Sequence, residues 1–498
     1  MKKKSPIFFL LFLVVAQLTA QEISFQDLEQ DYIPSENPTL VIQPVNFYIS
    51  EPVRDMPQCL DRSIFDSKVV PKGNAEGPSP APMSAKRKRK LAHLNSAGAS
   101  NIEIDPMLAG PETYTRASND RTPIVNFESI GLNASPPDPS MAVGPNHVVA
   151  MENGLWSVYD KNGNEASGFP KQLNNPLSGP NHGDNAGDPV VMYDRQADRW
   201  FISQFQLSGN PAASDDVFLI GISTTPDPTG SYYIYEYELT QGNDYPHYGV
   251  WRDSYVTAGN FTGAQKVYTF NRTKMLAGDG SAEIVGFSPS NLGSAGFAAP
   301  IPVHSERNVT PTGDIKIVFY QDDAFAGVTS DHIGLWNIDM DWSNIGSSTI
   351  SSKIEIPTSP FDAAIAGGFA NLQQPGTGQR IDAIVGAVMN MVHWYEFGTH
   401  QSIVMNWVVE IQNGTQKSGI RRVELRSTNG GSSWSVYQEG TFSDPTQTTV
   451  ANKESVFMGC ITMDLDGNIG LGYTKTGAST FPSLYYTGRL ASDALGTM

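Results

Sequence analysis

Gly187–Ser203 reads GDPVVMYDRQADRWFIS. Two apolar runs, Val190–Tyr193 and Trp200–Ser203, flank a polar turn of Asp194, Arg195, Gln196, Ala197 and Asp198. Strand formers on either side of turn formers are a β-hairpin pattern. Asp188-Pro189 stands just ahead of the first run, where a proline lacking an N–H takes nothing from the ladder, and the same step recurs at Asp138-Pro139. A hairpin that recurs at fixed spacing implies a repeat architecture.

Working outward, hairpins follow one another from Thr122 to the C-terminus. They divide into units of four short strands. The first holds Ser140–Val143, His147–Met151, Leu155–Tyr159 and a weak strand near Phe169. The second begins at Val190 and ends with Tyr232–Leu239, and the third opens at Tyr248–Trp251. Asp138 to Asp188 spans 50 positions and Asp188 to Asp244 spans 56, the size of a propeller blade with its loops. The fold class expected is therefore all-β, a β-propeller of about six to seven four-stranded blades over residues 122–498. Its sixth unit (Phe457–Met463, Ile469–Tyr473, Ser483–Tyr486) lacks an outer strand, so the propeller reads as incomplete at the C-terminus. Ile124–Phe127 is expected to be the outer strand of a seventh blade.

The composition agrees, with 46 Gly, 34 Pro and only 17% charged residues in 498. Lys2, Lys3 and Lys4 precede an apolar core from Ile7 to Ala16, and Leu18-Thr19-Ala20 offers a cleavage point. Residues 1–20 thus read as a signal peptide, too short in its apolar core for a transmembrane anchor. A secreted or cell-surface location is expected. Removing residues 1–20 takes away three lysines, so the net charge goes from -18 to -21. That balance excludes nucleic acid as a partner, because phosphate backbones are repelled. Residues 21–121, with a Pro/Ser/Ala tract at 77–84 and the basic run Lys86–Lys90, read as an irregular leader or linker. Of the two cysteines, Cys59 and Cys460, the second is expected to be a buried thiol; no spacing indicates a bridge.

Several stretches resemble a family of large exported bacterial β-propeller proteins of unassigned activity: PPDPSMAVGPNHVV, GDPVVMYDRQADRWFISQF, DYPHYGVWRDSYVTAGNF, LQQPGTGQRIDAI, YEFGTHQSIVMNWVV and MGCITMDLDGNIGLGYT. The chain departs from that pattern after Asp382 and at Lys453–Phe457, where the resemblance implies arginines. A weaker resemblance is to sialidase-type blades, through the Asp-box-like Ser427, Asn429, Gly431, Ser433 and Trp434. In that family the box is a structural turn between the third and fourth strands. Sialidase chemistry is not expected, because Arg380, Arg421 and Arg422 crowd into one unit rather than converging on a substrate carboxylate.

In a propeller the ligand face is built from loops leading into each first strand and loops joining second to third strands. This sorting places His182, Asp184, Asp188, Asp215, Asp216, Asp244, His247, Asp322, Asp323, Asp331 and Asp382 on one acidic face. Asp138, Asp188, Asp244, Tyr245 and His247 are expected to bind ligand there. Asp184, Asp188 and Asp244 are candidate calcium ligands, since carboxylates are hard oxygen donors. His182 with Asp184, and His247 with Asp244, are candidate acid–base pairs. The leading expectation is a non-enzymatic, monomeric propeller binding an extracellular glycan or protein. The alternative is a glycan-cleaving enzyme, a glycoside hydrolase or calcium-dependent polysaccharide lyase, acting at the acidic face.

Overall fold

The computed structural model describes residues 34–36, 38, 40–62, 104–108, 124–131, 137–178, 185–206, 216–294, 297–305, 309–365, 370–447 and 449–498. Three short strands come first: β1 (Pro34–Glu36), β2 (Leu40–Ile42) and β3 (Asn46–Ile49). The hairpin units then follow in order. The first sheet holds β4 (Ser140–Val143), β5 (His147–Glu152), β6 (Leu155–Asp160) and β7 (Lys171–Gln172). The second holds β8 (Val190–Asp194), β9 (Arg199–Gln206), β10 (Val217–Ser223) and β11 (Tyr232–Glu238), with β3 added outside β11. The third holds β12 (His247–Trp251), β13 (Ser254–Ala258), β14 (Val267–Asn271) and β15 (Ile284–Phe287), with β2 outside β15. A six-residue helix, α1 (Arg272–Ala277), follows β14 and is N-capped by the Asn271 side chain.

The fourth unit comprises β16 (Ile301–Ser305), β17 (Ile315–Gln321), β18 (His332–Asp339), β19 (Thr349–Ser351) and β20 (Ile354–Pro357), with β1 paired to β19. The fifth comprises β21 (Val392–Glu396), β22 (Gln401–Glu410), β23 (Ser418–Ser427) and β24 (Ser435–Phe442). The last sheet is β25 (Ser455–Met463), β26 (Ile469–Thr476) and β27 (Ser483–Arg489).

First strands pack on one another in sequence order: β4 on β8, β8 on β12, β12 on β16, β16 on β21 and β21 on β25. That is a radial, propeller-like, all-β arrangement. It differs from the expectation of six to seven separate blades. The fourth and fifth units form one ten-stranded sheet, because β16 and β21 pair in parallel (Val303↔Val392 to Ser305↔Trp394). Neighbouring sheets share apolar cores. Trp156 and Val158 of the first meet Trp200 and Ile202 of the second, and Trp251 of the third meets Trp394 of the fifth at 5.5 Å between ring centroids. Gly144 is required at the first of these contacts, where a Cβ would lie 2.7 Å from the Trp200 ring.

Several other expectations change. Ile124–Phe127 is not a strand; Phe127 instead packs on Tyr159 of the first sheet at 5.2 Å. Ile384–Trp394 is mostly irregular, with a strand only from Val392. Residues 34–49, read as irregular leader, supply three outer strands in reverse order around the array, capping edges that would otherwise be unpaired. Residues 104–108 join the fifth unit, with Leu108 bridged to Thr441. Cys460 is exposed and Cys59 is the buried thiol: alternation along β25 turns position 460 to the sheet's open face. Among the described residues no helix is long and apolar enough to cross a membrane. The expected signal peptide and the Lys86–Lys90 run lie outside them.

Candidate active site

The units begin alike. Asp138 (φ 40°), Asp188 (φ 43°) and Tyr245 (φ 56°) each occupy the left-handed region and each precedes a proline, Pro139, Pro189 and Pro246, that leads into β4, β8 and β12. The structural equivalent of Asp138 and Asp188 is thus Tyr245, one position later than the Asp244 that spacing suggested. Aspartate tolerates this backbone through local hydrogen bonding; a tyrosine there is strained.

These starts are laced together. Asn153 Nδ2 donates to Asp138 Oδ2 at 2.7 Å, Asp188 N donates to Asn153 Oδ1 at 2.8 Å, and Tyr245 N donates to Asp188 Oδ2 at 3.4 Å. Asp244 is buried and its Oδ2 accepts from Asn260 Nδ2 at 3.4 Å. Burial pushes the Tyr245 phenol well up, and the charges of Asp138, Asp188, Asp382 and Asp244 add to it. The His247 ring stands edge-on to Tyr245, 4.4 Å between centroids. Burial pulls it down to about 4, so it is neutral at pH 7, and neither ring nitrogen has a hydrogen-bond partner among the described residues.

The His247–Asp244 acid–base pair is therefore not formed, and the ring titrates too low to serve near neutrality. His182 and Asp184 lie outside the described residues, so neither the first expected pair nor the full calcium set can be placed. The laced starts read as joints between sheets. Tyr245 also packs on Phe297, and Ile384, Leu372 and Ala383 from the connection between β20 and β21 fill the same apolar cluster.

A second group of carboxyls lies in the turn between β17 and β18. Oxygens of Asp322, Asp323 and Asp331 fall within 4.8 Å of one another. Asp322 takes N–H bonds from Ala324 (2.8 Å) and Ala363 (2.8 Å), and Asp331 from Asp323 (2.7 Å) and Phe361 (2.6 Å). These bonds pin the irregular segment 358–364 beside the turn, which delivers Asp362 to the group. Glu410, at the end of β22, joins by donating its N–H to the Asp362 carbonyl at 2.7 Å.

All four buried or half-buried carboxyls are held high, chiefly by desolvation: Asp322 to about 8, Asp331 to about 6, Asp362 to about 6 and Glu410 to about 7. Like charges add to this, Asp331 and Asp323 on Asp362, and Asp362 on Glu410. Asp323 is exposed. Arg421, fully buried, lowers Asp331 but is itself spent on Asp105 (2.8 Å), Glu439 (3.3 Å) and the carbonyls of Ser359 and Pro360. Tyr320 links the two groups: it stacks on Trp407 (5.3 Å), accepts from Gly386 N (2.7 Å), and its phenol is raised by burial with Asp322 and Tyr245 both contributing.

Face sorting had put Asp322, Asp323, Asp331 and Asp382 on the ligand side without singling them out. Asp362 and Glu410 were missed. The adjacent pair Asp322-Asp323 was the available signal; Asp362 reaches the group only through the fold of segment 358–364. Of the expected calcium ligands, Asp188 and Asp244 both lie near enough to Tyr245 for their charges to raise it, and Asp184 lies outside the described residues. The three carboxylates of the β17–β18 turn are a poor cradle for a cation, because both oxygens of Asp322 and Asp331 already accept backbone N–H groups.

No family profile matches the chain, and no curated protein matches it. Solved structures align loosely. A polysaccharide lyase of family PL25, an ulvan lyase bound to a GlcA-Rha3S fragment, aligns at 13% identity over 72% of this chain and 80% of its own, TM-score 0.36. A GH43 endo-arabinanase from Bacillus licheniformis aligns at 11% identity over 71% and 93%, TM-score 0.26. An N-acetylgalactosamine deacetylase from F. plautii aligns at 8% identity over 71% and 89%, TM-score 0.31. These propeller-like neighbours are glycan-active enzymes, against the expectation of a non-enzymatic binder, and that expectation is withdrawn. Likeness this distant assigns no activity to the chain. The sialidase resemblance stays local: Asn429 Oδ1 accepts from Ser433 N (3.0 Å) and Ser427 Oγ takes Gly431 N (2.9 Å), which is the capping of one turn.

Proposed function

We propose that the protein is a glycan-cleaving enzyme, a glycoside hydrolase, working at the carboxyl group formed by the β17–β18 turn and segment 358–364. One observation carries the reading: half-buried Asp362 is held near 6 while exposed Asp323 lies close enough for its charge to help raise it. Two carboxyls whose surroundings separate their protonation states are what acid-assisted glycoside cleavage needs. Asp362 keeps one oxygen bonded to Ala364 N at 2.8 Å and gives its proton to the leaving glycosidic oxygen. As the bond to the leaving oxygen breaks, Asp323 either bonds to the anomeric carbon, in an ester that water then hydrolyses, or takes the proton of a water that attacks that carbon in one step.

A lyase is less well supported. Removing the proton beside a uronate requires its carboxylate to be neutralised, and Arg421, whose charge reaches Asp331, is already consumed. Calcium is assigned no step. The carbohydrate ligand is therefore proposed to be uncharged at the cleaved bond. The array is proposed to hold six to seven blades, counting the ten-stranded sheet as two joined at their innermost strands, and the chain is proposed to be exported through residues 1–20.

A panel of neutral and uronate-containing polysaccharides tests the function by reducing-end release and by ultraviolet absorbance of unsaturated products. Reducing ends from a neutral glycan, insensitive to chelator and reduced about 10²–10⁴-fold by Asp362→Asn, are expected. Unsaturated products, or full activity in Asp362→Asn, would refute the assignment.

A further inference from the structure

A cavity of about 510 Å³ opens among loops of the fifth and last sheets, within the size range of small-molecule sites. Its walls are three ligand-face loops: the β22–β23 turn, the connection from β24 to β25, and the β26–β27 turn. Lys417, Asp444, Asn452, Glu454, Lys475 and Ser479 are in its lining. The β22–β23 turn is shared. Its first end carries Glu410, whose carboxylate accepts from Gln416 N at 2.7 Å, and its other end carries Lys417 in the cavity wall.

Lys475 is the unusual group. The residue is 8% exposed, yet its ammonium makes only ion pairs at 3.7 Å to Asp444 and 3.8 Å to Glu454, and stands 4.9 Å from the Tyr485 ring centroid. An ammonium carries three donors, and among the described residues none of these reaches an acceptor at hydrogen-bond distance. The flanking carboxylates are held elsewhere. Asp444 accepts from Thr446 N (3.0 Å) and Glu454 N (3.1 Å), and Glu454 from Ser479 Oγ (3.0 Å). Two lysines balance two carboxylates in the lining, so the cavity carries no net charge to attract an ion.

We infer that this cavity is a sugar subsite for a neutral glycan chain, with the Lys475 ammonium donating to hydroxyl or ring oxygens and the Asp444 and Glu454 carboxylates accepting from hydroxyls. It extends the proposed cleavage site and rests on that reading for its place in a longer cleft, but not for its ability to bind. A chain cleaved beside Asp362 runs along the β22–β23 turn into this subsite.

The test is the Lys475→Met variant of the full chain, with Ala478→Trp as a second variant that fills the cavity. Binding of neutral glucan, arabinan, mannan and galactan fragments is followed by ligand-observed NMR, and cleavage by product release as a function of chain length. Both variants are expected to weaken binding of the longer fragments about tenfold and to raise KM for them, leaving kcat and the shortest cleaved fragment unchanged. Binding unchanged in a folded variant, or sulfated and uronate fragments binding better than neutral ones, would overturn the subsite. Neutral fragments bound in a Lys475-dependent way without product would sink the cleavage reading and leave the subsite standing. Cleavage indifferent to both variants would do the reverse.

Discussion

Asp194 lies in the polar turn quoted at the outset, and its carboxylate ties two sheets together. It accepts from Arg272 Nε at 2.7 Å and Nη2 at 3.0 Å, from Tyr255 OH at 2.9 Å, and from Gln196 N at 3.1 Å and Ala197 N at 3.2 Å. The Asp194 side chain is fully buried and that of Arg272 is 11% exposed. Asp194→Ala removes every one of these acceptors and leaves a guanidinium buried without its counter-charge. Breaking one side of a buried pair costs about 3–5 kcal/mol, and the orphaned Tyr255 hydroxyl adds about 1 kcal/mol. A loss of roughly 4–6 kcal/mol is expected. Asp194→Ala/Arg272→Met removes the stranded charge as well, so it is expected to be less destabilised than the sum of its singles by about 2 kcal/mol or more. Urea denaturation followed by tryptophan fluorescence reads both quantities. A single-variant loss under about 1 kcal/mol, or additive singles, would refute the claim that this carboxylate joins the second and third sheets.

The raised carboxyls make a pH prediction. The folded state holds protons on Asp322, Asp331, Asp362 and Glu410 that the unfolded chain has already released, so their contribution is fully present below about pH 4 and is lost as pH climbs through about 6 to 8. Stability should fall between pH 5 and 8, and Asp331→Asn should flatten the decline; a rise over that interval would contradict the burial argument. Asp105→Ala should cost about 3–5 kcal/mol in chemical denaturation, because it strips the fully buried Arg421 of its 2.8 Å partner. Gly144→Val should destabilise by about 1–3 kcal/mol through overpacking against Trp200, measured as a lowered urea midpoint at unchanged slope. If that midpoint does not move, the close approach of first and second sheets is wrong.

The hairpins were legible because alternation and turn chemistry are local. Val190–Asp194 and Arg199–Gln206 stand where the quoted stretch puts them. The Asp-Pro spacing also revealed the repeat, but it misaligned the third copy. Tyr245-Pro246 preserves the backbone and proline while abandoning the carboxylate, so a search for aspartates settles one residue early. What the sequence hid is what distance in the chain conceals. Residues 34–49 and 104–108 have strand-like composition too weak to stand out beside a Pro/Ser tract, and they become ordered by borrowing a neighbour's edge. Asp362 is equally silent, an acid in a connection whose position depends on backbone N–H groups pledged to Asp322 and Asp331.

The reversed strap of β1, β2 and β3 bears on how the chain is made. Its residues leave the ribosome early, yet β1 must wait for β19, more than three hundred positions later, before it has anything to pair with. Closure of such distant pairs is slow, so the sheets would mature with naked rims and the strap would buckle on last. A chaperone that shields residues 34–49 during synthesis would therefore govern yield more than any feature of the finished core.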